Sequence, residues 1–311
     1  AARPGPAARF GPIAPASALG GVPLRLAYRG DLAATELFDY LQDRIITGIE
    51  EMTGDRGTRT YRRTLRLPYG TGIAEVEERT GNGWLECRLH LTELRDLTTA
   101  AQRIRRLFDL DADPYAVAAR LGSDPALGPL VARTPGLRAP GAADPHEMAV
   151  RAVLGQQVTV AAGRGLGSAL VASRGQALDP PSGGLTHVFP TVAALADGSL
   201  EALRMPGSRR ETLRTLSAAL ADGTVVLDPG ADRDDTEQAL LSLKGIGPWT
   251  AGYIRMRALG DPDVLLTGDV ALGHALRRTG ADDPEPWRPW RSYAMHHLWH
   301  SLGARALTGP R

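Results

Sequence analysis

The sequence predicts an α+β protein, in which a small N-terminal antiparallel sheet with a helix precedes a mainly α-helical region of two lobes. Two observations carry this prediction. Apolar and polar residues alternate as in strands before Thr98, whereas helical spacing dominates after it and strand signals nearly disappear. The helical segments are separated at proline or glycine, as at Asp144-Pro145 and Met205-Pro206-Gly207.

The N-terminal α+β domain is expected at residues 21–97. Residues 1–20 before it are rich in Ala, Pro and Gly and predict a linker or flexible arm. A strand is predicted around 24–28, and 33–52 carries apolar residues at helical spacing. Further strands are predicted at 61–67, 73–79 and 84–91, the last two joined by turn residues at 80–83.

The rest of the chain divides into a helical domain at 98–234 and a helix-hairpin-helix domain at 235–311. Residues 98–112 are a segment that could pack with the second of these. Helices are predicted at 98–109, 114–121, 145–157, 159–173, 191–197, 199–204, 208–221, 235–243, 249–259, 270–278 and 287–302.

The composition argues against several kinds of site and against a membrane protein. The single cysteine, Cys87, excludes an intramolecular disulfide, a four-thiolate iron–sulfur cluster and a cysteine-based zinc site. His296 and His297 are adjacent and point in different directions on a helix, so this pair is not expected to bind one metal ion, and no metal site built from side chains is predicted. No apolar run is long enough for a membrane span, and no export signal is evident, so a cytoplasmic protein without a membrane partner is expected.

The most informative segment runs from Asp235 to Leu259. Asp235 can cap a helix, Gly245-Ile246-Gly247 forces a tight reversal, and Pro248 is well placed to begin a second helix. The backbone N–H groups at the start of that helix would favour an anion such as a DNA phosphate. A Gly-x-Gly turn between helices can also be a simple helical corner, so this pattern alone leaves both interpretations open.

The string LKGIGPWTA at 243–251 resembles the helix-hairpin-helix of base-excision DNA glycosylases. The acidic residue typical of that superfamily has its counterpart in Asp269, twenty residues after Trp249. Four further segments resemble, in order and spacing, the DNA-3-methyladenine glycosylase II family of AlkA type: 24–29, 149–160, 189–205 and 287–299. The resemblance covers nearly the whole chain except its first twenty residues.

This resemblance implies a monofunctional DNA glycosylase, active in base excision repair as a monomer near the nucleoid and without a cofactor. Its partner would be double-stranded DNA, from which it would flip out and excise alkylated purines of the 3-methyladenine and 7-methylguanine type. In some bacteria the family's domain follows an Ada-type sensor of methyl phosphotriesters. Such a fusion would explain the linker-like start.

Asp269 is the candidate catalytic carboxylate. Breaking the bond from the purine to C1′ leaves positive charge on the sugar, which a nearby carboxylate stabilises, and the carboxylate can also accept a proton from water. Asp269 also precedes a predicted helix and could simply be its N-cap. The two roles can coexist, since a capping bond would orient the carboxylate.

By the same resemblance, Trp249 is the platform on which the extruded base stacks, with Tyr253 one helical turn along. Trp299 and Tyr40 would close the pocket, and Arg44 would accompany Tyr40 from the N-terminal domain. A cationic alkylated purine is attracted to electron-rich aromatic faces. Ordinary packing is the alternative for Tyr253, Trp299 and Tyr40.

Gln157 occupies the position of the side chain that fills the gap left by the base, where the family usually has an apolar residue such as leucine. A polar turn residue is the alternative interpretation. The resemblance assigns further DNA contacts to Gln156, Lys244, Gly245, Ile246, Gly247 and Thr250, and a weakly bound monovalent cation to the carbonyls of Leu241, Leu243 and Ile246. Trp249 stands where bifunctional relatives have a Schiff-base lysine, which indicates a monofunctional enzyme.

Two other functions stay open. Helix-hairpin-helix motifs also serve as passive grips on the DNA backbone, and a stacking pocket with few hydrogen-bond donors would also accept hypoxanthine. The first alternative is tested by whether Asp269 and Trp249 face each other across one cleft sized for a nucleobase.

Overall fold

A computed structural model describes residues 20–79, 81–281 and 283–303. The expected arm at 1–20 lies outside the described residues except for Gly20. Within the part that is described, every helix is too short or too polar to span a lipid bilayer.

The N-terminal domain is built on a five-stranded antiparallel sheet with the strand order β1-β5-β4-β3-β2. Alternate residues of β5, including Leu85, Leu89 and Leu91, are buried, as the alternating sequence predicts. The buried face packs against Phe38 of α1 and Ile104 of α2. The elements are β1 Val22–Ala27, α1 Ala34–Gln42, β2 Glu50–Thr53, β3 Thr60–Arg66, β4 Thr71–Glu77, β5 Trp84–Leu91 and α2 Leu97–Leu107.

The long helix predicted at 33–52 is wrong in its second half. The helix ends at Gln42, and the chain returns to the sheet as strand β2, in which Met52 pairs with Tyr61. Gly48 has φ +95, a left-handed conformation that interrupts a right-handed helix and that glycine adopts most readily.

The helical region begins after α2, and its helices are α3 Pro114–Gly122, α4 Gly128–Arg133, α5 Pro145–Leu154, α6 Val160–Arg174, α7 Val192–Ala196, α8 Gly207–Ala221, α9 Arg233–Leu241, α10 Pro248–Ala258, α11 Val270–Thr279 and α12 Arg291–Ser301. The prediction missed α4 and placed a helix at 199–204, where the chain forms turns. The expected start of the last helix at 287 is also early, because Pro289 precedes the helical segment.

A two-stranded hairpin between α6 and α7 was not predicted. It comprises β6 Gln176–Ser182 and β7 Leu185–Val188. The backbone N–H groups of Thr186 and His187 donate to the Gly48 carbonyl oxygen at 2.8 and 3.0 Å. The hairpin is therefore attached to the N-terminal domain.

The helices pack around two cores, which confirms the predicted two-lobed α+β architecture. The first core contains residues of α5, α8 and α10, such as Val153, Leu216 and Ile254. The second core joins α3 and α4 to α11 and α12, with Leu121 and Leu298 among its members. In the first lobe the hairpin helices α9 and α10 therefore pack with α5.

This packing differs from the domain division expected at 97/98 and 234/235. Helix α2 and residues as far as Leu110 belong to the core of the N-terminal sheet rather than to the last domain. Instead, helices α3 and α4 pack with the C-terminal helices. The helices of the first lobe therefore lie, along the sequence, between α4 and α11 of the second lobe.

Candidate active site

The helix-hairpin-helix comprises α9, a tight reversal and α10. Asp232 rather than the expected Asp235 caps α9, its carboxylate accepting from the N–H groups of Asp234 and Asp235. Gly245 has φ +90, and a Cβ there would come within 2.0 Å of Thr212 Oγ1, so both conformation and space require glycine. The glycine-rich reversal thus allows α10 to begin at Pro248.

One face of α10 presents aromatic side chains to a cavity. Trp249 and Tyr253, four residues apart, are stacked with ring centroids 5.1 Å apart and an angle of 7° between the planes. Both line a cavity of about 200 Å³ together with Tyr40, Asp269 and Trp299. Residues of all three cores line this cavity, which therefore lies where the sheet domain and the two lobes meet.

The carboxylate of Asp269 is held by three donors. Its Oδ1 accepts from the Leu272 N–H at 2.7 Å and from Trp299 Nε1 at 3.1 Å, and its Oδ2 accepts from Trp249 Nε1 at 3.0 Å. Asp269 is therefore the N-cap of α11, as one interpretation expected, and also lines the cavity. The expected arrangement across a cleft differs, because the acid and the indole of Trp249 are directly hydrogen-bonded.

Tyr40 brings a wall of the cavity from the N-terminal domain. The guanidinium carbon of Arg44 lies 3.7 Å from the centre of the Tyr40 ring. Arg257, which was not predicted as a site residue, donates through Nη1 to the hydroxyls of Tyr40 and, at 2.9 Å, of Tyr253. Burial would raise the pKa of Tyr253, but the nearby charges of Arg257 and Arg44 outweigh it and lower that pKa.

A second unpredicted residue, His296, lies behind this wall. Its ring meets the edges of Tyr40 and Trp299, with centroid distances of 5.5 and 5.2 Å. Burial, together with the positive charges of Arg257 and Arg44, holds the pKa of His296 well below its usual range. The imidazole is therefore neutral and packs as a spacer between the two aromatic walls.

The residues expected to contact DNA fall into two groups. Gln157, Lys244, Gly245 and Gly247 are exposed. Ile246 and Thr250 are buried, and the Gln156 side chain donates to the Gly245 carbonyl and to Thr250 Oγ1, both at 3.0 Å. Ile246, Thr250 and Gln156 thus contact protein in this structure.

Comparison with known proteins relates this geometry to a family. Residues 23–144 match the AlkA N-terminal domain family. The chain is 36% identical over 210 residues to DNA-3-methyladenine glycosylase 2 of Escherichia coli, covering 65% of this chain and 71% of that protein. The chain belongs to the DNA-3-methyladenine glycosylase II family.

Another relative in this comparison is the probable bifunctional transcriptional activator/DNA repair enzyme AlkA of Mycobacterium tuberculosis. The identity is 43% over 304 residues, which are 95% of this chain and 60% of that protein. The 3-methyladenine DNA glycosylase from Archaeoglobus fulgidus has the same fold, with a TM-score of 0.73 at 17% identity, over 91% of this chain and 99% of that one.

A buried ion network supports the cavity in this member of the DNA-3-methyladenine glycosylase II family. Arg63 Nη2 lies 2.7 Å from Glu147 Oε2, and Arg151 pairs with both Glu147 and Glu50. The Tyr61 hydroxyl donates to Glu50 at 2.6 Å, and Arg151 Nη1 donates to the Arg44 carbonyl oxygen at 3.2 Å. The network thus joins the sheet to α5 and holds the backbone at Arg44, whose side chain covers Tyr40 at the cavity.

We expect Arg63→Met to lower the free energy of unfolding by about 3–5 kcal/mol, because it leaves the buried Glu147 without one of its two cationic partners. Urea denaturation followed by circular dichroism measures this. The control is Arg56→Met, which breaks an exposed pair with Asp39 and should change stability little. Equal, small effects of both substitutions would contradict the structural importance of the network.

Among the residues that the structure describes, no group of three or more His, Cys, Asp and Glu side chains is arranged to hold a metal ion. Cys87 is buried in the sheet, where burial raises the pKa of its thiol to about 12. Its place in the core at β5 gives it a packing role.

Proposed function

We propose that the chain is a monofunctional DNA glycosylase that flips alkylated purines, of the 3-methyladenine and 7-methylguanine type, out of duplex DNA and excises them by hydrolysis in base excision repair. One observation carries the proposal. The Asp269 carboxylate is oriented by the two indole N–H groups of Trp249 and Trp299 beside a cavity lined by aromatic rings. A passive DNA clamp would need Asp269 only as the N-cap of α11, and not as a carboxylate held by two indoles beside a cavity.

The proposed reaction needs one carboxylate and one water molecule. As the bond between C1′ and the purine nitrogen breaks, its electron pair leaves with the base, and positive charge develops on the sugar. Asp269 stabilises this charge, the water oxygen bonds to C1′, and the carboxylate accepts the proton that the water loses. The three hydrogen bonds to Asp269 hold it in place before the reaction begins.

The alkylated purine would enter the cavity as a cation that already has a weakened glycosidic bond. Trp249 and Trp299 are the aromatic groups that can offer it an electron-rich surface beside Asp269. Arg44 already covers a face of the Tyr40 ring, and the Arg257 guanidinium lies 5.6 Å from the centre of the Tyr253 ring and donates to its hydroxyl. The tyrosines therefore contribute less to holding a cation than the two tryptophans.

The two arginines favour a second candidate, a broader substrate range that includes hypoxanthine. Guanidinium groups only donate hydrogen bonds, and the O6 and N7 edge of hypoxanthine only accepts them. Arg44 lines the cavity, and a neutral base would not be repelled by its charge. A lesion panel distinguishes the two ranges.

The test of the proposed function is base release from duplexes that each contain one 3-methyladenine, 7-methylguanine or hypoxanthine. We expect free base and an intact strand that breaks only on heating in alkali, without added metal or nucleotide. Strand cleavage in neutral buffer would contradict monofunctional chemistry. Binding of all the duplexes without release of any base would leave only a DNA clamp.

The proposed DNA grip uses the hairpin and the turn before α6. Backbone N–H groups at the start of α10 would bind a phosphate, assisted by the exposed Lys244, which is the only lysine of the chain. Gln157 would fill the gap left by the base and hydrogen-bond to the unpaired partner base. The carbonyls of Leu241, Leu243 and Ile246 are proposed ligands of a weakly bound monovalent cation.

Lys244→Gln is expected to weaken binding to all duplexes alike and to reduce the slope of log K against log salt concentration by about 1, because one phosphate contact is lost. Fluorescence anisotropy in a salt series measures the slope. The matched control is Arg79→Gln, which removes an exposed cation of the sheet domain that pairs with Glu77. A slope unchanged by Lys244→Gln would remove this residue from the grip.

The remaining expectations are also proposals. A monomer is expected to suffice, because one chain brings together Tyr40, Trp249, Asp269 and Trp299 in one cavity. A DNA substrate implies action at the nucleoid. Fusion to an Ada-type sensor remains a prediction, as does the absence of an organic cofactor.

A further inference from the structure

The turn between α5 and α6 holds its tip in an unfavourable conformation. Gln157 is exposed and has φ +55, the left-handed region that residues other than glycine adopt at a cost in free energy. Thr159 closes the turn, its hydroxyl oxygen accepting from the Ala162 N–H at 3.1 Å. Such a tip persists only if its neighbours hold it in place.

Gln156, the residue before this tip, is tied to the hairpin. Its Nε2 donates to the Gly245 carbonyl oxygen and to Thr250 Oγ1, both at 3.0 Å. A carbonyl oxygen only accepts, so the amide nitrogen rather than the amide oxygen must face Gly245. Both hydrogens of the amide are used, and the orientation of the side chain is thereby determined.

The two acceptors belong to different parts of the proposed DNA-binding surface. Gly245 lies in the exposed reversal beside Lys244, where the backbone would grip a phosphate. Thr250 is buried on α10 next to Trp249, which contacts Asp269. One side chain therefore links the tip at Gln157 to the phosphate grip and to the helix that carries the stacking indole.

We propose that Gln156 is a positioning residue that makes the turn and the hairpin one rigid unit, so that gripping the backbone and inserting Gln157 into the duplex occur together. This proposal rests on the proposed function. Without the link, the strained turn can relax while the hairpin still grips the phosphate. Base extrusion then becomes less favourable, although DNA affinity is largely kept.

The experiment compares Gln156→Leu with the parent chain, both carrying Asp269→Asn so that no base is lost. The probe is a duplex with 2-aminopurine next to a single 7-methylguanine, because 2-aminopurine becomes fluorescent when its neighbour is extruded. We expect the extrusion equilibrium to fall about tenfold, as for the loss of one to two hydrogen bonds. In chains that retain Asp269, kcat should fall by a similar factor and KM should change little.

Two further variants separate positioning from general damage. Gln102→Leu makes the same chemical change at an exposed position of α2 and should leave extrusion unchanged. Thr250→Ala removes one acceptor and should give a smaller loss than Gln156→Leu. The two losses should not add in the double variant, because both substitutions break the same contact.

The outcomes are distinguishable. Equal fluorescence and equal kcat for Gln156→Leu and the parent would overturn the proposal while leaving the proposed function intact. A parallel loss of DNA affinity and thermal stability in Gln156→Leu would also overturn it, since that pattern indicates a purely structural residue. If the parent neither extrudes nor releases any base, the proposed function fails, and the role of Gln156 fails with it.

Discussion

Asp269→Asn is expected to lower the single-turnover rate of base release by about a thousandfold or more, while DNA affinity stays close to that of the parent chain. An amide cannot stabilise the developing sugar cation or accept a proton from water. The amide oxygen can still accept from Leu272 and Trp299, which leaves the amide nitrogen facing the donor Trp249 Nε1. The helix cap is thus kept, and the chemistry is lost.

The matched control is Asp113→Asn, since Asp113 caps α3 in the same way that Asp269 caps α11. We expect this control to release bases at the parent rate, with thermal unfolding recorded for both variants. Base release by Asp269→Asn at the parent rate would mean that Asp269 is a helix cap alone.

Trp249→Ala is expected to cost about 4 kcal/mol, or about a thousandfold, in excision of cationic bases. The substitution removes an aromatic face for the base and one of the three donors to Asp269. Trp249→Phe keeps an aromatic face and loses only the hydrogen bond, so a smaller loss of about tenfold is expected. Single-turnover rates on 7-methylguanine and hypoxanthine duplexes measure both variants.

A suitable control is Trp84→Phe, because Trp84 also donates to a carboxylate, that of Glu86 at 2.8 Å, but lies on the sheet. It should not change either rate. The loss in Trp249→Ala should be greater for the cationic 7-methylguanine than for neutral hypoxanthine. An equal loss on both lesions would contradict a role for cation–π attraction.

The sequence predicted the helices and strands that are indicated by neighbouring residues, but not those that depend on contacts with distant parts of the chain. Strand β5 has the bounds that were predicted for it, and each end of α10 lies within one residue of its predicted position. Both predictions rest on neighbouring residues: the alternation of apolar and polar residues in β5, and Pro248 as the start of α10. The hairpin β6–β7 was missed because its attachment depends on the distant Gly48 carbonyl. The packing of α3 and α4 with α11 and α12 was missed for the same reason, since these pairs of helices are far apart in the sequence.

The closeness of Asp269 and Trp249 was predicted, but the hydrogen bonds and ring contacts around them were not. Asp269 and Trp249 were both singled out, and the spacing of twenty residues brings them together. The direct hydrogen bond between them was not foreseen. Arg257 was detectable, because it stands eight residues after Trp249 on the same face of α10. No local signal distinguishes His296, whose role depends on rings that tertiary packing brings to it.

The most direct test is a crystal structure of the Asp269→Asn chain bound to a duplex with one 7-methylguanine. We expect the purine to lie outside the double helix, in the cavity between Tyr40, Trp249 and Trp299. The C1′ atom of its deoxyribose should face residue 269, and Gln157 should occupy the vacated position in the base stack. A lesion that stays stacked in the duplex while the hairpin grips the phosphates would contradict the proposed function.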